Sequence, residues 1–138
     1  MKSAVRRKAG ITLALAIVLA AAGCNKYVVH PGSASTFDSQ AYDSLLVAQA
    51  AIDSAKAEYA AGQIPPSSKD LLNKAIGVYD IAQAAWHTYH DTAASASTGD
   101  TSKLQAELTD DLNQLSAAIS QFEQSIGKKA PAAKLKKL

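Results

Sequence analysis

An internal disulfide is excluded from this chain, because Cys24 is its only cysteine. Aromatic side chains are scarce, with one Trp, two Phe and five Tyr in 138 residues, so any core has to be built largely from aliphatic residues and alanine. No segment alternates apolar and polar residues with a period of two, which argues against half-buried strands. There is no Gly-rich phosphate loop and no His-Glu-x-x-His pattern, so phosphate cradling and zinc-dependent hydrolysis have no signature here. The most apolar run, Ala9 to Ala22, has 14 residues. A membrane-spanning helix needs about 20. Gly and Pro fall between the helically periodic stretches and not inside them, Gly77 excepted.

What is present begins with a leader. Lys2, Arg6, Arg7 and Lys8 precede the apolar run, and small residues follow it up to Cys24. That order is the charged, apolar and small-residue plan of a signal peptide spanning residues 1–23. Ala21-Ala22-Gly23-Cys24 resembles the lipobox of bacterial lipoproteins, with Ala21 where that family prefers Leu. The resemblance covers residues 1–25 and implies that Cys24 becomes the first mature residue. It further implies diacylglycerol on the sulfur of Cys24 and an acyl chain on its amine, with no other cofactor expected. One chain gives marginal membrane binding, whereas two or more give stable anchoring. Asn25 stands where an Asp would retain such proteins in the inner membrane of enteric bacteria. The resemblance therefore implies the cell envelope, with the outer membrane, periplasmic side, favoured.

Charge is distributed unevenly. Residues 24–127 hold five lysines against all 12 acidic residues, a net charge of −7. Residues 128–138 hold five lysines and no acid. The basic balance of the whole chain thus belongs to a leader and a tail, and gives no ground for nucleic-acid binding.

The mature length suits one domain. Residues 24–36 contain Pro31, Gly32 and small polar residues, and read as the lipid-attachment cysteine followed by a flexible tether. Over residues 37–127 three stretches carry apolar residues at helical spacing. The first helix is expected at about 37–61, with Ser35 or Thr36 as N-cap and Leu45, Ala48, Ile52, Ala55 and Tyr59 on one stripe. The second is expected at about 66–94, opened by a Ser67/Asp70 capping pair. Its stripe includes Leu72, Ile76, Tyr79, Trp86 and Tyr89. The third is expected at about 101–126, capped by Asp100, with Leu104, Leu108, Leu112, Leu115, Ile119 and Phe122 in the most regular pattern of the chain. Gly62 and Gly127 are placed to end helices. The expected fold is all-α: an antiparallel up-down-up three-helix bundle, preceded by the tether and followed by a disordered Lys-rich tail. Standing upright on its anchor, such a bundle would project the tail about 40 Å from the membrane, since each helix rises 1.5 Å per residue.

Candidate chemistry is sparse. His87, His90 and Asp91 lie three and four residues apart on one helix face and could supply two or three metal ligands. A closed zinc site needs four, and histidines near a helix C-terminus are ordinarily held in solvent by the helix dipole. Tyr59, Tyr79, Trp86, Tyr89 and Phe122 could line an aromatic pocket, but their spacing places most of them on the core stripes. Asp110 and Asp111 are adjacent, and neighbouring residues on a helix point in different directions, so the pair does not converge on a substrate; Asp111 borders the apolar stripe. Lys128, Lys129, Lys134, Lys136 and Lys137 could bind an anionic surface, whether peptidoglycan, anionic lipid or an acidic envelope protein. In general plan the chain resembles small helical envelope lipoproteins such as the murein lipoprotein. That protein is linked to peptidoglycan through a C-terminal Lys, a link not expected here because the last residue is Leu138.

The leading expectation is a non-enzymatic, membrane-tethered spacer, scaffold or accessory subunit with no small-molecule substrate. The alternative is a lipoprotein that binds a small ligand or metal through the Trp86, Tyr89, His87 and His90 region.

Overall fold

The computed structural model describes residues 29–95 and 100–127. The leader, Cys24 and the Lys-rich tail lie outside them. The described residues form three α-helices and no strand: α1 (Thr36–Ala60), α2 (Lys69–Ala94) and α3 (Ser102–Ser125), with a 3-10 turn at Pro66–Ser68. The all-helical bundle expected from periodicity is the fold observed.

Cross-helix contacts fix the directions. Asp38 at the start of α1 meets Trp86 and His90 near the end of α2. Gln49 further along α1 meets Tyr79 at 3.3 Å. At the opposite end Ser68 receives a hydrogen bond from Ser125 at 3.0 Å, and Lys74 donates to Gln121 at 3.3 Å. Helices α1 and α2 are therefore antiparallel, as are α2 and α3. The C-terminus of α3 leaves at the end far from the start of α1.

The core is built mostly from aliphatic residues and alanine, as the scarcity of aromatics requires. Ala41, Leu45, Ala48 and Ile52 of α1 face Ala82 and Tyr89 of α2 and Leu108, Leu112 and Leu115 of α3. Ala41 and Ala82 are fully buried, so these methyl groups set how closely the helices approach. A second cluster closes the far end from Ala55, Leu72, Phe122 and the loop residue Ile64. Ile64 is 4% exposed and fastens the α1–α2 connection to the bundle, a role its short loop gave no periodic signal for.

Caps largely follow the expected residues. The Ser35 hydroxyl accepts from the Asp38 amide and caps α1. The cap expected at Asp100 shifts: Thr101 is the residue that precedes α3 and no side chain caps the helix, while Asp100, one residue earlier, accepts from the Ser102 amide at 2.9 Å. Gly62 and Gly127 end their helices with positive φ, in the left-handed region where a Cβ is penalised. The Ser67/Asp70 pair departs from expectation. Pro65 and Pro66 start a 3-10 turn that leads directly into α2, and no side chain caps the helix there.

Two substitutions report on this packing in urea unfolding. Leu108→Ala removes a fully buried side chain and is expected to cost about 2–5 kcal/mol. Ala82→Leu is expected to cost about 1–3 kcal/mol by overpacking a fully buried site.

Candidate functional site

The described residues place one dense polar cluster in the molecule, and it sits where the start of α1 meets the end of α2. Its centre is Asp38. Asp38 is three residues before Ala41, which puts it close to the core direction, on the flank toward α2. It is fully buried. Its Oδ2 accepts from the Ala34 amide at 2.8 Å and from Nδ1 of His90 at 2.7 Å. Ser35, the N-cap, accepts from the Asp38 amide at 3.1 Å, which is one half of a capping box; the Asp38 side chain reaches one residue further back, to Ala34 and not to the Ser35 amide. The Asp38 carbonyl accepts from the Trp86 indole at 3.3 Å. The other carboxylate oxygen, Oδ1, is buried without a hydrogen-bond partner among the described residues.

Aromatic rings close around this carboxylate. Trp86 stacks on His90 with ring centres 5.1 Å apart and 29° between planes. Tyr42 lies 5.2 Å from Trp86 on the α1 side. Phe37 meets Tyr89 edge to face at 5.1 Å, and the Tyr89 hydroxyl shares a hydrogen bond with Ser35. Low dielectric around the Asp38–His90 pair strengthens their mutual attraction and raises the cost of separating them.

The chain before α1 completes the cluster. His30-Pro31-Gly32-Ser33 is a tight turn closed by the Ser33 amide on the His30 carbonyl at 3.1 Å, with Gly32 at positive φ. Pro in second and Gly in third position are the residues a type II turn demands. The turn sends the chain back along α1. The His30 amide donates to the Ser39 hydroxyl at 3.0 Å, and its Nε2 donates to Asp43 at 2.7 Å. Ser39 is two residues from Ala41 and so points away from the core. It is nevertheless fully buried, because the returning segment covers it. The tether expected over residues 24–36 is thus docked from His30 onward, a correction to its reading as a free linker. Residues 24–28 lie outside the described part.

The sequence-level candidates separate accordingly. His90 is held by Asp38, and its side chain is 27% exposed, against the expectation of a solvated histidine. His87 sits exposed against Trp86, with ring centres 4.8 Å apart, and Asp91 is exposed. The structure does not bring these three together, and no group of three metal-ligating side chains gathers among the described residues. Of the pocket aromatics, Tyr89 is buried, while Tyr79 and Trp86 are half-buried at the α1–α2 seam. Asp111 is half-buried, and burial, then Asp110 and Glu107, push its carboxyl above the usual range. Lys128, Lys129, Lys134, Lys136 and Lys137 lie outside the described residues, as does Cys24.

The periodic pattern singles out neither Asp38 nor Ser39, and His30 falls in the segment read as a tether. The available signal was Ser35-x-x-Asp38 beside His30-Pro31-Gly32-Ser33, a capping box next to a turn. Chemically, a buried carboxylate oriented on an imidazole is part of an acid–base device. Here the nearby hydroxyls of Ser35 and Tyr89 are engaged with each other. The arrangement therefore works as a latch that binds the N-terminal segment and α2 to one carboxylate.

His90→Ala removes a hydrogen-bond partner from the buried Asp38 carboxyl and is expected to cost about 1–3 kcal/mol. His87→Ala is expected to change stability by less than about 0.5 kcal/mol; equal losses for both variants in urea titrations would refute the latch. Asp111 supplies a pH test. Its folded pKa is raised, so folding favours its protonated form, and stability falls as pH rises through that value. Asp111→Asn should therefore stabilise the fold at neutral pH, with the gain vanishing below the ordinary Asp range.

Comparison of the chain with protein-family models, with curated proteins and with solved structures finds no match, so the site is read from its own chemistry.

Proposed function

We propose that this protein is a non-enzymatic, lipid-anchored protein of the bacterial cell envelope, acting as a spacer, scaffold or accessory subunit. The observation that carries this reading is Gly23-Cys24 placed directly after a charged stub and a 14-residue apolar run. Signal cleavage before Cys24 and acylation of its sulfur and amine give an anchor of two or more chains, enough for stable membrane attachment. Asn25 favours the periplasmic side of the outer membrane. Among the described residues no helix is long and apolar enough to cross a membrane, so in this reading Cys24 is the attachment point.

The latch supports the same role. A protein that acts by position needs a defined geometry between anchor and body. The Asp38–His90 pair and the His30 contacts provide one, because they hold the chain on the bundle to within six residues of Cys24. The Lys-rich tail would be the reaching element. It follows α3, whose C-terminus lies at the end of the bundle away from the latch, and its five lysines suit peptidoglycan, anionic lipid or an acidic envelope protein. The ligand-binding alternative draws no separate support, since Trp86, Tyr89 and His90 are occupied by the latch.

In a bacterial host, labelled palmitate should enter the wild-type chain and be absent from Cys24→Ser, with only the former partitioning into detergent. An unlabelled wild type would overturn the anchor. Deleting residues 128–138 should leave the unfolding midpoint unchanged but reduce sedimentation with cell-wall material, most strongly at low salt. Equal sedimentation of both forms at low salt would remove the tail from the reading.

A further inference from the structure

We infer that the outward face of α1 rests on the bilayer surface, so that the bundle lies along the membrane and does not stand on it. The inference builds on the lipid attachment proposed for Cys24 and commits to the lipid surface as the occupant of this face.

The path of the chain is the first observation. The His30 amide bonds to Ser39 and the His30 ring bonds to Asp43, so the segment entering from Val29 lies beside the first turns of α1 and not beyond its end. Cys24 is only five residues before Val29. Even a fully extended chain advances at most about 3.6 Å per residue. A lipid at Cys24 is thus kept within about 18 Å of Val29, the point where the returning segment meets the side of α1.

The composition of that side is the second. Among the described residues five large hydrophobic side chains are exposed, and four of them are Val29, Tyr42, Leu46 and Val47, on the returning segment and on α1. Ala50 and Ala57 continue the exposed surface of the helix. The acidic groups there have partners within the face: Asp43 accepts a hydrogen bond from His30 at 2.7 Å, and Asp53 lies 3.8 Å from Lys56. The exposed surface of α3 differs, presenting Lys103, Glu107, Asp110, Gln114 and Gln121 to solvent. A single exposed Leu needs no explanation, but a set on one helix beside a lipid-bearing segment does.

Tethering makes a weak contact sufficient. An acyl anchor holds the body at high effective concentration over the lipid, so a few half-exposed apolar side chains can decide which face turns toward it. Tyr42 suits the headgroup layer, with an apolar ring and a polar hydroxyl.

The test uses full-length lipidated protein in vesicles of phosphatidylethanolamine and phosphatidylglycerol. Acylation blocks the natural thiol, so a nitroxide can be placed at Val47→Cys on α1 or at Gln114→Cys on α3. Collisions with a water-soluble nickel chelate should be several-fold fewer at position 47 than at 114, and collisions with oxygen more frequent. Equal accessibility at both positions in vesicle-bound protein would overturn the inference while leaving the anchor intact. Failure to bind vesicles at all would overturn the anchor and the inference together. Protection at position 47 that disappears on dilution into excess lipid would assign the face to a second copy and overturn the bilayer contact.

Discussion

Burying a carboxyl group is costly unless its oxygens find hydrogen-bond partners, and the organisation of this bundle at its N-terminal end follows from how Asp38 meets that requirement. One oxygen collects the Ala34 amide and the His90 imidazole, while the main-chain carbonyl of the same residue collects the Trp86 indole. Three parts of the chain, separated by up to 56 positions, are thereby committed to one point. The second oxygen is left without a partner among the described residues. Such a group costs about 1–3 kcal/mol. An energetic concession at one atom accompanies a specific junction between the helices and the segment that precedes them.

The rest of the body is conventional by comparison. Alanines bring the helices close, leucines fill the space between them, and Ile64 and Phe122 close the far end. Such a core tolerates sliding and rotation of one helix against another, because alanine and leucine surfaces are repetitive. A buried polar pair does not tolerate it, since any shift that separates Asp38 from His90 leaves two desolvated groups unpaired. We regard the apolar core as the source of stability and the polar junction as the source of register.

This division bears on how an anchored protein transmits position. A free tether would let the body sample every orientation above a membrane. The Pro31-Gly32 turn and the His30 contacts fix the chain from His30 onward beside the first turns of α1, and the anchor proposed at Cys24 stands six residues before that fixed point.

The sequence alone determined the helices. The three-to-four spacing of Leu108, Leu112, Leu115 and Phe122, and of Leu45, Ala48 and Ile52, requires one buried face per segment whatever the final packing. Ser35, Asp100, Gly62 and Gly127 mark ends through local hydrogen bonds and local backbone conformation, which need no partner distant in sequence. Only the tertiary structure decided the fate of His30, Asp38, Ser39 and His90. Each is an ordinary polar residue in its own segment, and Ser39 points away from the core by periodicity. The contacts that join them are to groups 9 to 52 positions away that arrive only when the helices pack and the chain before them folds back. Periodicity reports which face of a helix is apolar, but it carries no information about which polar groups will meet across two elements.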